Sequence, residues 1–310
     1  MSAIEWLLES DDASIRYRTL VELMGANKNN EELQKLKKEI EESVSVKSLI
    51  GKMHLDGYWL QKNQQSGKVL GQGVEYGSFA TTHFCLSYLA EMGMDRSNSY
   101  VELAANRYLN LQKEDGDWWE HLSCLYAYNI RTFILLGYRD DTRVKRAIGL
   151  MINTARKDGG YLCDLHEKES QKSKKSCVRG SVKALLAFSE MPEYWENERC
   201  LQLVEYFLNR HGIYKNNNHD KFVNKDMTNQ SFPIIWRTNT WEVLYALGKM
   251  GYGGDSRLER AWDVIASTKD SFGKVHLDWT PTQCPWKIGE RGDPNEWLTF
   301  YTMLAEKYRK

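Results

Sequence analysis

The chain has 310 residues and carries 42 lysines and arginines against 42 aspartates and glutamates. This balance offers no basic surface for nucleic acid or an anionic membrane, and no apolar run approaches the roughly 20 residues of a membrane helix. The first residues lack the basic and apolar regions of a signal peptide. Six scattered cysteines are typical of a reducing compartment. We therefore expect a cytoplasmic protein without a nucleic-acid partner or a transmembrane segment.

Six stretches with few charges carry apolar residues at helical spacing and predict buried, inner helices. They begin near Asp12, Phe79, Cys124, Cys177, Asn239 and Asn295, and four end at a glycine: Gly25, Gly93, Gly137 and Gly251. Glycine is favoured just past a helix end because it takes the left-handed conformation at low cost.

More charged amphipathic stretches alternate with these, at about 30–50, 97–111, 141–154, 194–210 and 255–267. They predict outer helices that cover the inner ones. The alternation predicts an all-α fold, an α/α toroid of about six inner and five to six outer helices, formed by residues 1–310 as a single domain. The long connections at 55–78, 156–176, 211–237 and 270–293 are expected at the N-terminal ends of the inner helices.

A short string marks several of these connections. Residues 112–118 read Gln-Lys-Glu-Asp-Gly-Asp-Trp, a Q-x-x-x-G-x-W pattern, and weaker copies lie at 53–59, 155–161 and 269–275. Recurrence at intervals of about fifty residues indicates an array of one supersecondary unit.

These strings and the paired helices resemble the terpenoid cyclase and protein prenyltransferase superfamily. Over nearly its full length the chain is similar to single-toroid prokaryotic proteins described as squalene-cyclase-like or prenyltransferase-like. The resemblance implies the toroid fold and an isoprenoid or lipid substrate. The chain departs from it by lacking both the D-x-D-D acid string of class II cyclases and the D-x-C zinc string of prenyltransferases. The closest string, Glu9-Ser10-Asp11-Asp12, fits a helix cap.

Three cysteines and a histidine form a candidate zinc site. Cys124 and Cys177 open neighbouring inner helices, Cys163 follows the string between them, and His166 completes a C-x-x-H. A helix N-terminus favours thiolate, the form that ligates metal, and three Cys with one His suit tetrahedral zinc. We expect zinc at these four residues, with His121 as an alternative fourth ligand. The other interpretation is that the cysteines are small buried apolar residues.

Residues near the predicted loop end are candidates for a ligand pocket. They are Trp59, Tyr76, His83, Trp118, Trp119, Tyr128, Asp164, Trp236, Asn239, Trp241 and Glu242. Aromatic faces can hold an isoprenoid chain or a cation, or stack on a sugar. The carboxylates Asp164 and Glu242, with Asp117 and Glu120, offer an acid/base pair for glycoside chemistry.

Two kinds of enzyme and a scaffold are therefore consistent with the sequence, and no catalytic residue is assigned. The leading hypothesis is a zinc-assisted transferase or cyclase acting on an isoprenoid or lipid. The alternatives are a carbohydrate-active toroid, hydrolase or lyase, binding a sugar, and a non-catalytic scaffold. A dry apolar cavity favours the first, a polar groove with carboxylates the second, and a filled axis the scaffold.

Overall fold

The computed structural model describes residues 1–27, 30–59, 79–118, 123–154, 156–162, 175–282 and 284–310. The helices are α1 (Ala3–Leu8), α2 (Ala13–Arg18, continued by a π-helical turn at Thr19–Leu23), α3 (Glu31–Glu42), α4 (Val44–Ile50), α5 (Thr82–Glu91), α6 (Ser99–Leu109), α7 (Ser123–Leu135), α8 (Thr142–Asn153), α9 (Val178–Ser189), α10 (Glu198–Leu208), α11 (Thr240–Lys249), α12 (Glu259–Ala266) and α13 (Glu296–Lys307). Short 3-10 turns lie at Pro192–Tyr194, Lys225–Thr228 and Ser256–Leu258, and β1 (Tyr214–Lys215) pairs with β2 (Asn218–Phe222). Among these residues no helix has the length and apolar content that crossing a membrane requires.

Six of the described helices form an inner ring: α2, α5, α7, α9, α11 and α13. Successive members pack against each other from α5 to α13, and α13 packs against α2. Between α2 and α5, the ring is closed by Arg18 of α2, which donates a hydrogen bond of 2.8 Å to Glu91 of α5. Every residue of α5 is buried, as the low charge of these stretches predicts. Each inner helix begins within three residues of its predicted start.

The outer layer consists of α3, α6, α8, α10 and α12, and α1 takes the sixth outer position. These helices bury one face only; α3, for example, buries Leu33, Leu36 and Ile40 among charged neighbours. The position of α1 follows from its contacts with the last turn before α13. There Lys274 Nζ lies 4.2 Å from the centroid of the Trp6 ring. The chain ends thus close the ring, and the buried apolar residues form one continuous cluster.

The recurring glycine lets the turn of one repeat lie against the outer helix of the next. Gly116 has a φ of +98°, and a Cβ added there would lie 2.8 Å from the carbonyl oxygen of Arg146 in α8. A Cβ added at Gly159 would lie 2.6 Å from the carbonyl oxygen of Gln202 in α10. A side chain at either position would therefore push neighbouring repeats apart.

The residue two places after that glycine anchors its turn to the following inner helix. The backbone N–H of Trp59 donates to Thr82 Oγ1 at 3.1 Å, and that of Tyr161 donates to Ser181 Oγ at 2.9 Å. Trp59 Nε1 also donates to the carbonyl of Leu49 in α4 at 2.7 Å. Through its backbone and its side chain, Trp59 thus joins α5 to the end of α4.

Aromatic rings from the inner helices and loops occupy the interior on the N-terminal side of the ring. Phe84 of α5 lies 5.6 Å from Tyr128 of α7, measured between ring centroids. The loop residue Trp286 lies 5.0 Å from Trp297 of α13. Such edge-to-face pairs stabilise packing beyond their area burial.

Near the C-terminal ends of the inner helices, charged and phenolic groups meet at the axis. We call this set the axial charge network: Arg18, Glu91, Arg131, Glu190, Tyr245, Lys249 and Tyr301. Every inner helix, or the residue that caps it, contributes at least one member. Glu91 is the centre of one half, because its carboxylate accepts hydrogen bonds from Arg18, Arg131 and Tyr301.

Glu190 is the centre of the other half. It accepts hydrogen bonds from Tyr245 OH at 3.0 Å and from Lys249 Nζ at 2.6 Å, and Arg131 Nε lies 3.7 Å from it. Burial alone would raise the pKa of Glu190, but the charges of Lys249 and Arg131 outweigh burial and lower it. The same opposition, with Arg131 and Arg18 as the cations, lowers the pKa of Glu91. Both carboxylates are therefore ionised at neutral pH.

We predict that Gly116→Ala destabilises the protein and that Gly149→Ala does not. Alanine at 116 would have to adopt a φ of +98° and would collide with the α8 backbone, so we expect a loss of about 2 kcal/mol or more. Gly149 lies inside α8 with nothing within 4 Å of its added Cβ, so alanine there should stabilise by about 0.5–1 kcal/mol. Urea unfolding of both variants checks this, and equal effects would contradict the proposed packing of the turn.

Candidate functional site

A pocket of about 970 Å³ opens at the C-terminal ends of the inner helices. Its lining comes from all six inner helices or the residues just after them, and from α3. The lining residues are Tyr17, Arg18, Val21, Glu22, Gln34, Lys37, Lys38, Glu41, Ala90, Gly93, Met94, Asp95, Ser97, Leu135, Glu190, Tyr245, Lys249, Lys307 and Tyr308. Arg18, Glu190, Tyr245 and Lys249 belong to the axial charge network, which therefore forms the base of this pocket.

The wall on the α3 side is held by Lys37. Its ammonium group donates to the carbonyl of Gly93 at 2.6 Å and to Asp95 Oδ2 at 2.9 Å, and it lies 5.2 Å from the Tyr17 ring centroid. Burial opposes the ionisation of Asp95, but hydrogen bonds from Ser97 and Lys37 prevail and lower its pKa. Two elements far apart in sequence are thus joined at the rim of the pocket by a charged contact.

The opposite wall comes from the end of α13. Lys307 Nζ donates to the backbone carbonyl of Glu22 at 2.6 Å, and the Glu22 carboxylate receives Arg18 at 2.5 Å and 3.1 Å. Lys249 is a further cation on this side, paired with Glu190 at 2.6 Å. Ammonium, guanidinium, carboxylate and phenol groups therefore all face one space.

The predicted pocket residues lie elsewhere, toward the N-terminal side of the ring. Trp59, Trp118 and Trp241 are buried; Trp118 packs 5.5 Å from Phe133, and Trp241 stacks 4.6 Å from Tyr301, between ring centroids. None of the described members of the predicted set is among the residues that line the 970 Å³ pocket.

His83 and Tyr128 are also interior residues. His83 Nδ1 lies 3.2 Å from Thr81 Oγ1, and its ring centroid lies 4.1 Å from that of Phe84. Tyr128 OH donates to the carbonyl of Ile234 at 3.0 Å, and burial raises its pKa far above the ordinary value. Both rings belong to the aromatic packing of the interior.

Glu242 and Asn239 form a buried polar group with Lys183, which the sequence did not single out. Lys183 Nζ donates to Glu242 Oε2 and to the carbonyl of Arg237 at 2.9 Å. Glu242 Oε1 accepts from Asn239 Nδ2 at 2.9 Å, and Asn239 Oδ1 accepts from Ser231 Oγ at 2.8 Å. The predicted rim carboxylate Glu242 is in fact fully buried and ion-paired.

Trp236 is the predicted aromatic that is half exposed. Its ring centroid lies 6.5 Å from that of Phe79, and the guanidinium of Arg179 lies 4.8 Å from it. Arg179 in turn pairs with Asp226 at 3.0 Å. One face of Trp236 is thus covered by the protein's own cation.

The zinc hypothesis is tested only in part by the described residues. Cys124 is buried in the first turn of α7, and Cys177 is the N-cap of the adjacent α9. Within the described ranges, no three His, Cys, Asp or Glu side chains come together as a metal site requires. Cys163 and His166 lie outside the described residues, as do Tyr76, Trp119 and Asp164 of the predicted pocket. Zinc binding therefore stays a prediction.

The sequence placed the site at the loop end, whereas this pocket is at the other end. In the sequence, the only indication of this pocket is a set of ionisable residues in the C-terminal halves of the inner helices: Arg18, Glu91, Arg131 and Lys249. Each is unremarkable within its own helix. Only the ring geometry, which brings the six helix ends together, makes them one cluster.

No protein-family model matches the chain, and no curated protein matches it. Among solved structures it is similar to a glycosyl hydrolase family 88 protein from Bacteroides vulgatus, with a TM-score of 0.53, 13% identity, and 96% of this chain and 91% of that chain covered. A type II terpene cyclase, MstE from Scytonema (apo), aligns with a TM-score of 0.34 and 11% identity, over 89% of this chain and 98% of that chain.

At 13% identity, the comparison with the glycosyl hydrolase establishes the fold and nothing further. The chain is an all-α protein with an α/α toroid, as predicted. The resemblance to terpenoid cyclases and prenyltransferases is supported only as far as this shared toroid.

The zinc prediction can be checked by elemental analysis of the purified protein. If the four predicted ligands bind zinc, the protein contains about one zinc ion per chain, and Cys124→Ser or Cys177→Ser removes it. Cys284→Ser, at a half-buried cysteine outside the predicted site, should leave the metal content unchanged. A wild-type protein purified without chelators that holds no zinc would rule the site out.

Proposed function

We propose that this protein binds a polar, hydroxyl-rich ligand of the carbohydrate class in the pocket at the C-terminal ends of the inner helices. The observation that carries the proposal is the pocket itself: about 970 Å³ of space with a mainly polar lining and with charged and phenolic groups at its base. This volume is in the range of small-molecule sites.

The character of the lining argues against an isoprenoid in this pocket. An apolar chain lying on Arg18, Glu190 and Lys249 would remove water from charged groups without returning hydrogen bonds, which is costly. A hydroxylated ligand would instead exchange its own hydrogen bonds for those of the displaced water.

The side chains around the pocket offer the groups that hydroxyls require. Carboxylates such as Glu22 and Glu190 accept hydrogen bonds, and ammonium groups such as Lys37 and Lys249 donate them. Tyr17 of α2 adds an aromatic ring to the lining, and sugars present C–H faces that pack on such rings. The glycosyl hydrolase of family 88 from Bacteroides vulgatus has the same type of toroid, which supports carbohydrate as the ligand class.

The proposal is for binding, and two of the pocket carboxylates are assigned to it. Glycoside hydrolysis needs one carboxyl group that keeps its proton and can donate it. Asp95 and Glu190 have lowered pKa values, so these two are ionised and do not suit the role of general acid. They serve as hydrogen-bond acceptors for a ligand.

Calorimetric titration tests this with named probes: cellobiose, a disaccharide that contains glucuronic acid, and farnesyl diphosphate for the isoprenoid alternative. We expect saturable binding of at least one saccharide. Lys37→Gln should weaken it by about tenfold or more, equivalent to about 1.4 kcal/mol, because it removes a donor and releases Asp95.

Lys35→Gln is the matched control, since Lys35 lies on the same helix, is exposed, and does not line the pocket. It should leave the affinity unchanged. Binding of farnesyl diphosphate without any saccharide, or saccharide binding that Lys37→Gln does not affect, would overturn the proposal.

A further inference from the structure

Lys183, Glu242 and Asn239 form a buried triad between two neighbouring inner helices, remote from the pocket. Lys183 lies in α9, Glu242 in the first turn of α11, and Asn239 is the N-cap of α11. The three residues are 1%, 0% and 2% exposed. Such complete burial of a lysine and a glutamate is uncommon, and it invites a chemical explanation in addition to a structural one.

The Glu242 carboxylate bridges the other two side chains. Its Oε2 atom accepts from Lys183 Nζ, and its Oε1 atom accepts from Asn239 Nδ2 at 2.9 Å. One carboxylate therefore touches both the amine of the lysine and the amide nitrogen of the asparagine. This is the position from which a single group can take a proton from one nitrogen and give it to the other.

The amide carbonyl of Asn239 is polarised from its other side. Its oxygen Oδ1 accepts from the Ser231 backbone N–H at 3.2 Å and from Ser231 Oγ at 2.8 Å. Two donors aimed at one carbonyl oxygen stabilise the negative charge that grows there when a nucleophile attacks the carbon. Together the four residues present an amine, an activated carbonyl and a proton carrier.

We propose that Lys183 and Asn239 become joined by an intramolecular amide bond, with Glu242 as the proton-transferring catalytic residue. The neutral amine of Lys183 attacks Cγ of Asn239, and the new C–N bond forms as the carbonyl electrons move onto Oδ1. Glu242 carries a proton from the attacking nitrogen to Nδ2. The carbonyl re-forms, the bond from Cγ to Nδ2 breaks, and ammonia leaves. No oxidant, reductant or other reactant is needed.

The surroundings favour the protonation states that this step requires. Burial lowers the pKa of Lys183 against the opposing pull of Glu242, and the positive charge of Arg131 adds to the lowering. Burial likewise raises the pKa of Glu242, against Lys183 and Asn239. Both shifts reduce the free-energy difference between the ion pair and the neutral amine with a carboxylic acid, which is the form that reacts.

The intact mass of the denatured wild-type protein tests the proposal directly. Loss of ammonia lowers the mass by about 17 Da relative to the sequence, and we expect that loss in the purified protein. A tryptic digest should then contain residues 180–199 linked to residues 238–249, with no cleavage after Lys183. An unchanged mass together with free peptides that begin at residue 184 would overturn the proposal.

Two variants identify the mechanism. Glu242→Gln keeps the shape of the bridge but not its proton transfer, so we expect no link. Asn239→Asp should still react but lose water, giving a loss of about 18 Da from its own sequence mass. A link that persists in Glu242→Gln would refute the role assigned to Glu242, and a wild-type mass loss located in any other peptide would refute the bond itself.

Discussion

Six helix C-termini meet at one end of this toroid, and their carbonyl groups bring partial negative charge together near the axis. The axial charge network places three cations near this partial negative charge: Arg18, Arg131 and Lys249. Glu91 and Glu190 then hold those cations in place, and Tyr301 and Tyr245 complete the hydrogen bonds. Breaking a buried pair of this kind costs about 3–5 kcal/mol, because the remaining charge has no partner. The inner ring therefore depends on the network as a unit.

The same network determines what the open end of the toroid can bind. Because Arg18, Glu190 and Lys249 of the network line the pocket, the base of the pocket is polar. The aromatic residues that suggested an apolar cavity lie on the N-terminal side instead, where rings such as Phe84 and Tyr128 pack on each other. The toroid thus presents a polar pocket at this end, which is why the proposed ligand is a carbohydrate and not an isoprenoid.

The sequence predicted the ring more completely than the site. Inner helices could be recognised because burial on all sides removes charges, and their ends because Gly93 and Gly137 take a positive φ. One turn escaped notice: Gly212, with a φ of +77°, packs against α12 near Ala261 but lacks the Gln and Trp of the string. The charged cluster could not be read locally, since Glu91 and Arg131 are 40 positions apart. Lys183 likewise could not be recognised as a site residue from α9 alone, because its partner Glu242 lies in α11.

A double-mutant cycle between Glu91→Gln and Glu190→Gln tests the network most directly. Both carboxylates lie within ion-pair distance of Arg131, Glu91 at one terminal nitrogen of the guanidinium and Glu190 at 3.7 Å from Nε. If the network acts as a unit, their effects on the free energy of unfolding are non-additive by at least about 1 kcal/mol. The surface pair of Glu39, half exposed beside Arg16, gives the reference, because Glu39→Gln should add to Glu91→Gln without coupling. Additivity of Glu91→Gln and Glu190→Gln within about 0.5 kcal/mol would contradict the account.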